Sequence, residues 1–299
     1  MPRKTRSKII LRKLRKLIKP KNYTFKLQCS PSKHDKTDFS CYSENDIHKI
    51  KMAWNKRHPD SLIISNDPYE VWSILKEYTK HSCKNEKCWL SNLFKKNEID
   101  EDLLLYTFSP ERPQKWHKNP REWLSSTDIE NVMAHYEKLH DNFSFIGSSP
   151  IDFDTIKYDG ECVWPELCHF NIANYNKQNI NKIGISLNLD KHTQSGSHWV
   201  SIFIDLRKKF IFYFDSNGDK TPIQVKRLLN RIQQQCKDEF DCNMELLENS
   251  KEHQRKNTEC GIYSIYFITS LLENKDPEYF INERITDDEM FSLRDKFFN

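Results

Sequence analysis

The sequence predicts an α+β fold, in which a mixed sheet packs on buried helices and a helical region comes first. Three short segments rich in β-branched and aromatic residues, 181–190, 199–205 and 209–215, are separated by polar turns and predict adjacent strands. The stretch Gly261–Leu272 is apolar all round, which predicts a helix buried on every side. Upstream, from Cys41 to about Leu105, apolar residues recur at helical spacing. A sheet followed by a buried helix is typical of an α+β domain.

Length and composition favour a soluble chain with one substantial core and an accessory region. The 299 residues are 37% hydrophobic, enough to bury a large apolar area. The longest apolar stretch is far shorter than the roughly 20 residues that span a bilayer. The first 21 residues lack the apolar centre and cleavage site of a secretory signal. From these two observations we expect neither a membrane span nor a secretory signal.

The net charge of +4 conceals a strongly basic N-terminal tail, residues 1–21. Met1–Lys21 contains ten Lys and Arg residues and no acidic residue, which leaves 37 of the 47 basic residues against all 43 acidic residues. Within the tail, Lys8–Lys19 predicts a basic amphipathic helix that Pro20 ends. Such a tail fits a solvated arm, a nucleic-acid contact through phosphates, a membrane surface or a partner groove. The tail itself does not choose between them.

Helix signals follow one another through residues 22–120, which we predict to be a helical accessory domain. Ser43 is a plausible N-cap for the first helix, and Ile47, Ile50 and Trp54 mark its buried face. A second helix runs from Asp67 to about Lys80 with a proline at its first position. A third, shorter helix lies near 88–94.

A proline-rich joint at 109–120 is predicted to connect this region to an α+β domain at 121–299. That domain starts with a helix, Thr127–Leu139, for which Ser126 or Thr127 is the expected cap. A further helix is predicted from Ile223 to about Lys237, after the strands.

The nine cysteines predict free thiols in a reducing compartment, because the number is odd and secretory features are lacking. Cys83 and Cys88, with His81 nearby, could suggest a metal site. No second pair with fixed spacing accompanies them, so we predict no metal.

A histidine and a carboxylate are expected to meet at the open end of a hairpin. If 199–204 and 209–214 pair around a four-residue loop, His198 lies opposite Asp215, within hydrogen-bonding reach. A slip of two residues would bring Asn217 to the same place. A carboxylate there would fix the imidazole tautomer and favour the charged ring.

Cys260, at the head of the buried helix, is the candidate nucleophile. The positive end of the helix and a nearby charged histidine both stabilise a thiolate. Gly261 lets another group approach closely, and Gln254, six residues upstream, offers an amide N–H for an oxyanion. Each residue alone has an ordinary structural explanation. Their joint order and spacing are much harder to obtain by chance.

These motifs, HWVSIFID, FDSNG and Gln254 followed by NTECGIY, resemble the Ulp1/SENP/adenovirus-protease superfamily of cysteine proteases. The resemblance covers roughly 123–272 and implies a papain-like core with the nucleophile at the N-terminus of a buried helix. It implies that His198 acts as base, that Asp215 orients it, that Cys260 attacks the carbonyl and that Gln254 lines the oxyanion hole. No cofactor is implied.

The same resemblance implies substrate-binding roles for two tryptophans. The segment WLSSTDI is similar to the superfamily's WLND segment, whose Trp walls a narrow substrate channel, a role that falls on Trp123. Ser125 and Ser126 replace the family's Asn and Asp, a departure from the pattern. Trp199, in the His-Trp motif, is the second expected substrate contact.

The basic helical region before the core, with CYSENDIHKIKMAWNKRHPD and CWLSNLF, resembles the thiol proteases of large nucleocytoplasmic DNA viruses of mimivirus and asfarvirus type. That resemblance implies an endopeptidase that cuts capsid or core precursors at Gly-containing sites, located in the virion and the host cytoplasm. Three alternatives stay open: an isopeptidase for ubiquitin-like modifiers, an acyltransferase with the same triad, and a non-catalytic virion protein that binds nucleic acid.

Overall fold

The structure is a computed structural model that describes residues 28–33, 39–94 and 101–299. The basic tail and its predicted helix, Lys8–Lys19, lie outside the described residues. At the centre is a five-stranded sheet in the order β1-β2-β3-β4-β5. The two outer pairs are parallel and the two inner pairs antiparallel. The strands are β1 (Phe143–Pro150), β2 (Lys182–Asn188), β3 (Trp199–Asp205), β4 (Phe210–Phe214) and β5 (Glu245–Glu248).

The three predicted strands are the central three of this sheet, whereas β1 and β5 were not predicted. In β1 the pairing shifts between Ile146 and Ser148, and Gly147 has a φ of +34°. A Cβ at Gly147 would lie 2.4 Å from Trp164, so the position requires glycine. This irregularity interrupts the alternation that reveals a strand. The four residues of β5 are mostly exposed and carry little apolar signal.

The N-terminal region is helical, as predicted, and has its own apolar core. Ser43 caps the first helix in a capping box with Asp46, whose N–H donates to Ser43 Oγ at 3.1 Å. Asp67 caps the second, which has Pro68 at its first position. The helices are α1 (Glu44–Arg57), α2 (Pro68–Thr79), α3 (Lys87–Leu93) and α4 (Glu101–Tyr106), and a 3-10 turn follows at Gln114–His117.

Helices cover both faces of the sheet. On one face α5, α9 and α11 pack against phenylalanines such as Phe212 and Phe214, and on the other α8 packs against isoleucines such as Ile202. In the described part of the chain, no helix is long and apolar enough to cross a bilayer. The helices are α5 (Ser126–Leu139), α6 (Pro165–Cys168), α7 (Ile172–Lys177), α8 (Ile223–Phe240), α9 (Cys260–Leu272), α10 (Glu278–Asn282) and α11 (Asp287–Phe297).

The predicted cap of α5 is wrong by one or two residues. Ser125 is the N-cap, and its hydroxyl accepts the N–H of Asp128 at 3.3 Å. The Asp128 carboxylate in turn accepts the N–H of Ser125 at 2.8 Å. This reciprocal pairing needs an acidic residue three positions after the cap, which Ser125 has in Asp128 and Ser126 lacks, whereas Thr127 with Glu130 would start the helix two residues later.

The N-terminal region and the C-terminal end of the chain contact each other across the predicted boundary at 120/121. The Ser30 hydroxyl lies 2.8 Å from His135 Nδ1 on α5. The N–H of Asn299 donates to the carbonyl of Pro110 at 2.9 Å, and Trp116 stacks edge-on against Phe298. The boundaries themselves stay a prediction.

The predicted register of the β3–β4 hairpin is wrong by two residues. Asp205 pairs with Phe210 and Ser201 with Phe214, so the same register extended would place Asn217 opposite His198. The turn explains the shift, because the Asp205 carboxylate accepts the N–H groups of the second and third residues after it. The turn then ends on Lys209 with a φ of +61°.

The prediction of free thiols is wrong for six of the nine cysteines. Cys29–Cys41, Cys83–Cys88 and Cys162–Cys168 form disulfides, while Cys236, Cys242 and Cys260 are free and buried. Each bonded pair is at most 12 residues apart, and local turns bring its partners together. His169 lies beside the third pair, whose sulfurs are bonded to each other.

Candidate active site

The candidate site lies where β3 begins, β4 ends and α9 starts. His198 immediately precedes β3, and Asp215 immediately follows β4. His198 Nε2 lies 2.7 Å from Asp215 Oδ1, although the two are not cross-strand neighbours. They meet because Asp215 leaves the ladder and is held by Asn249, whose side chain accepts the Asp215 N–H and donates to its carbonyl.

The environment of His198 favours its charged form. Burial alone would lower the pKa of the ring, but contacts with the Asp215 carboxylate and the Cys260 sulfur outweigh it and raise the pKa to about 10. Since Nε2 donates to Asp215, Nδ1 is the nitrogen that faces Cys260. Asp215 therefore fixes the orientation of the ring and keeps a proton available beside the sulfur.

Cys260 is the first residue of α9 and is almost completely buried. Its N–H belongs to the first turn, where backbone donors have no partner within the helix. The positive end of the helix also favours a negative charge at this position. Gly261 allows the chain to pack closely, since a Cβ there would lie 2.9 Å from the Cβ of Leu124.

A buried ion pair that was not predicted from the sequence anchors the start of α9. The carboxylate of Glu259, directly before Cys260, pairs with Arg294 Nε at 2.7 Å, and both side chains are buried. The other Arg294 nitrogens donate to the carbonyls of Pro120, Glu122 and Thr258. Arg294 on α11 thus joins the segments that lead into Leu124 and Cys260. Its partners are far apart in sequence, so no local pattern indicates them.

Gln254 lies in the loop between β5 and α9 and is buried. Its backbone N–H donates to the carbonyl of Ser216 at 2.8 Å, and its side-chain Oε1 lies 2.9 Å from the Ser216 hydroxyl. Ser216 directly follows Asp215. The two predicted site residues, Asp215 and Gln254, are therefore linked through one intervening residue.

The two tryptophans differ in their surroundings. Trp199 is buried in the core, and its indole N–H donates to the carbonyl of Leu124 at 3.0 Å. Trp123 is 39% exposed, and its indole N–H donates to the carbonyl of Asn257 at 2.6 Å. Trp123 thus presents ring surface beside the loop that leads into Cys260, whereas Trp199 mainly supports that segment from inside. Their substrate contacts stay predictions.

Together these groups provide what nucleophilic acyl transfer requires. A sulfur at a helix N-terminus lies beside a protonated imidazole that a carboxylate orients, which is the arrangement that activates a cysteine. Backbone and amide N–H groups can donate hydrogen bonds to an attacked carbonyl oxygen and so stabilise the negative charge that develops on it.

Comparison with known proteins agrees with this chemistry. Residues 177–299 match the Ulp1 protease family, C-terminal catalytic domain. The chain is a cysteine protease that resembles this family over residues 177–299. The matched segment contains His198, Asp215, Gln254 and Cys260 and begins before β2, so the N-terminal region and α5 lie outside it.

Two viral proteins resemble this chain over most of its length. A protein of Acanthamoeba polyphaga mimivirus, named as a thiol protease, is 27% identical over 90% of this chain and 92% of its own. The SUMO-1 cysteine protease of African swine fever virus is 29% identical over 80% of this chain and 91% of its own. Both similarities extend beyond the matched catalytic segment into the N-terminal region.

The fold is shared with a solved structure. The crystal structure of the African swine fever virus protease covers 93% of this chain and 99% of its own, with a TM-score of 0.66 and 24% sequence identity. The Ulp1-type α+β fold with a preceding helical region is therefore confirmed.

Proposed function

We propose that this cysteine protease is a viral endopeptidase that matures structural precursor proteins by cutting them at Gly-containing sites. The observation that carries the proposal is the position of His198, which bonds to Asp215 and contacts Cys260 at the N-terminus of α9. The similarity to two viral proteases over most of the chain supports the viral setting and protein substrates.

The reaction proceeds by attack of the Cys260 sulfur on the scissile carbonyl carbon. The oxyanion that forms accepts hydrogen bonds from the Cys260 N–H and the Gln254 amide. His198 then gives its proton to the leaving amine, the C–N bond breaks, and a thioester to Cys260 remains. Neutral His198 next takes a proton from water, which attacks the thioester and releases the second product, while Asp215 holds the ring throughout.

Burial of the reacting groups supports a small residue at the cut. Cys260 is only 2% exposed, and the His198 side chain is 12% exposed. A scissile bond can reach the sulfur only if the residue that donates the carbonyl takes up little room. Glycine has no side chain and satisfies that condition best.

Replacement of Cys260 tests the proposal directly. We expect Cys260→Ala to lower cleavage of a Gly-Gly-Xaa peptide by at least about 10³-fold, since the nucleophile is lost. The matched control is Cys236→Ala, which removes another free, buried thiol on the far face of the sheet and should leave cleavage nearly unchanged. Undiminished cleavage by Cys260→Ala would show that Cys260 is not the nucleophile.

A second candidate activity is removal of a ubiquitin-like modifier, which the name of the African swine fever virus relative favours. A ubiquitin-like protein with an electrophile at its C-terminal glycine would then label Cys260. Labelling of wild type but not of Cys260→Ala, with virion precursors left uncut, would favour this activity over precursor maturation.

We also propose that the basic tail binds nucleic acid and keeps the protease inside the virion. Ten basic residues in Met1–Lys21 can neutralise phosphates and release counterions on binding. Deleting the tail should then weaken salt-sensitive binding to DNA and leave peptide hydrolysis intact. Binding that the deletion leaves unchanged would contradict the proposal.

A further inference from the structure

We propose that Ser216 is a positioning residue for catalysis, because its hydroxyl turns the Gln254 amide so that the N–H₂ end faces the reacting carbonyl. The Ser216 Oγ lies 2.9 Å from Gln254 Oε1, and both residues are buried. The inference rests on the proposed function, since the orientation of Gln254 matters to the reaction only if its amide serves the oxyanion.

The chemistry of an amide side chain explains why its orientation needs control. One end of the Gln254 amide only accepts hydrogen bonds and the other only donates them, and half a turn about the terminal bond exchanges the two. With Oε1 bonded to Ser216, Nε2 is the end left for a substrate. Nε2 has no hydrogen-bond partner within residues 28–33, 39–94 and 101–299.

The flipped orientation would oppose catalysis. Gln254 Nε2 would then donate to the Ser216 oxygen, and Oε1 would meet the developing oxyanion, where two partial negative charges repel each other. The buried Ser216 hydroxyl would also lose the acceptor of its own proton, since Oε1 is the acceptor that the described residues give it, and this loss favours the productive orientation. Without that hydroxyl, the amide has no group at its inner end that distinguishes the two orientations.

Ser216 can perform this task because its backbone is fixed on both sides. Its carbonyl accepts the N–H groups of His253 at 2.9 Å and Gln254 at 2.8 Å. The residue before it, Asp215, is held by two hydrogen bonds with the Asn249 side chain. The hydroxyl therefore starts from a position that the fold sets, and the amide adjusts to it.

The test is a double-mutant cycle of Ser216→Ala and Gln254→Ala, measured as kcat and KM for a Gly-Gly-Xaa peptide. We expect Ser216→Ala to lower kcat about tenfold and to leave KM unchanged, because one neutral hydrogen bond is lost and only the transition state uses the amide. In the Gln254→Ala background, Ser216→Ala should cause no further loss, because the group that it orients is gone.

A second readout separates orientation of the amide from damage to the triad. Alkylation of Cys260 by iodoacetamide needs His198 and Asp215 but forms no oxyanion, so Ser216→Ala should react at the wild-type rate. Slower alkylation in proportion to kcat would overturn the inference, as Ser216 would then act through Asp215. An equal loss in both backgrounds, or an unchanged kcat in Ser216→Ala, would overturn it as well.

If Ser216→Ala does not fold, Ser216→Cys is a slightly larger residue that keeps a weaker donor at the same place, and it should lower kcat by a smaller factor in the same direction. An unchanged kcat in that variant would count against the inference. Failure of the proposed function has a different signature, namely cleavage that survives in Cys260→Ala. A wild-type chain that cleaves no peptide would remove both.

Discussion

A buried histidine and a partly buried histidine, in different regions of the molecule, have opposite charge states. His198, at the end of the β3–β4 hairpin, contacts Asp215 and Cys260, and its pKa is raised to about 10. His135, on α5 where the N-terminal segment crosses it, has its Nδ1 2.8 Å from the hydroxyl of Ser30, and its pKa is lowered to about 4. Burial lowers the pKa of both rings, so the neighbours decide the outcome.

The difference separates the candidate catalytic histidine from a structural one. At His198 a carboxylate and a sulfur compensate the charge of the ring, so a proton is held where the reaction needs one. At His135 the charge of Lys33 lowers the pKa of the ring further. A neutral ring there can accept a hydrogen bond from Ser30 and join residues 28–33 to α5.

The largest expected effect comes from removing the charge that distinguishes His198. Asp215→Asn keeps the shape of the side chain but cannot accept from the ring in the same way, so the ring loses its orientation and its compensating charge. We expect kcat to fall by about 10³- to 10⁴-fold, as measured with the peptide substrate.

The matched control is Asn217→Ala, which removes the other residue that the sequence offered as the third member of the triad. Only the backbone N–H of Asn217 contacts Asp215 Oδ1, and that group survives the substitution. Activity should stay within about twofold of wild type, less than a single hydrogen bond contributes. A large loss here with a small loss in Asp215→Asn would reverse the assignment.

The pH dependence of activity should report the raised pKa of His198. The imidazolium that protonates the leaving amine is present below pH 10 and is lost above it, so kcat/KM should decline through about pH 10. The raised pKa also stabilises the fold, fully below the unfolded-state value near 6.5 and progressively less up to about 10. In Asp215→Asn the alkaline limb should move to lower pH, and an unmoved limb would assign it to another group.

For His135 we expect the opposite dependence of fold stability on pH, in the acid range. Its depressed pKa means that the unfolded chain binds a proton below about pH 6.5 that the folded chain binds only near pH 4. The contribution of this group to the free energy of unfolding is complete above pH 6.5. It should fall by about 3 kcal/mol as the pH drops to about 4. Urea unfolding of wild type and His135→Gln at pH 7 and pH 4 would measure it. Equal pH dependence in both would disprove this assignment.

The smallest effect is expected from Ser30→Ala, which removes the hydroxyl that meets His135. The hydroxyl bonds to both His135 and Ser32, so two buried hydrogen bonds are lost and the free energy of unfolding should fall by about 2 kcal/mol. Peptide hydrolysis should not change, because no described contact of Ser30 involves a candidate site residue. A change in kcat would show that the N-terminal segment influences the reaction.

Local signals predicted much of the fold. Helix starts at Ser43 and Asp67 and the three central strands follow from capping chemistry and residue patterns, which act over a few positions. The strand β1 was missed because Gly147 and the bulge around it depend on Trp164, a distant partner. The hairpin register was wrong because the Asp205 side chain sets the turn, which the spacing of apolar residues does not show.

The candidate site residues were found because their side-chain chemistry is unusual in that order. The residues that hold them in place, Arg294, Ser216 and Asn249, were not predicted. Their roles depend on hydrogen bonds to partners up to 174 positions away, which no local pattern indicates. The disulfides were missed for a related reason. Pairing depends on how local turns aim the sulfurs, which the count of cysteines does not reveal.

The close approach at Gly218 limits how the chain can change in length. A Cβ there would lie 2.8 Å from the backbone of Lys251, so the turn after β4 and the loop after β5 touch without a side chain between them. An insertion or deletion between Asn249 and Gln254 would therefore displace the acid and the amide together. We therefore expect insertions and deletions among relatives to lie outside the turn after β4 and the loop after β5. Grafting this site onto another protein would require both segments at their original length.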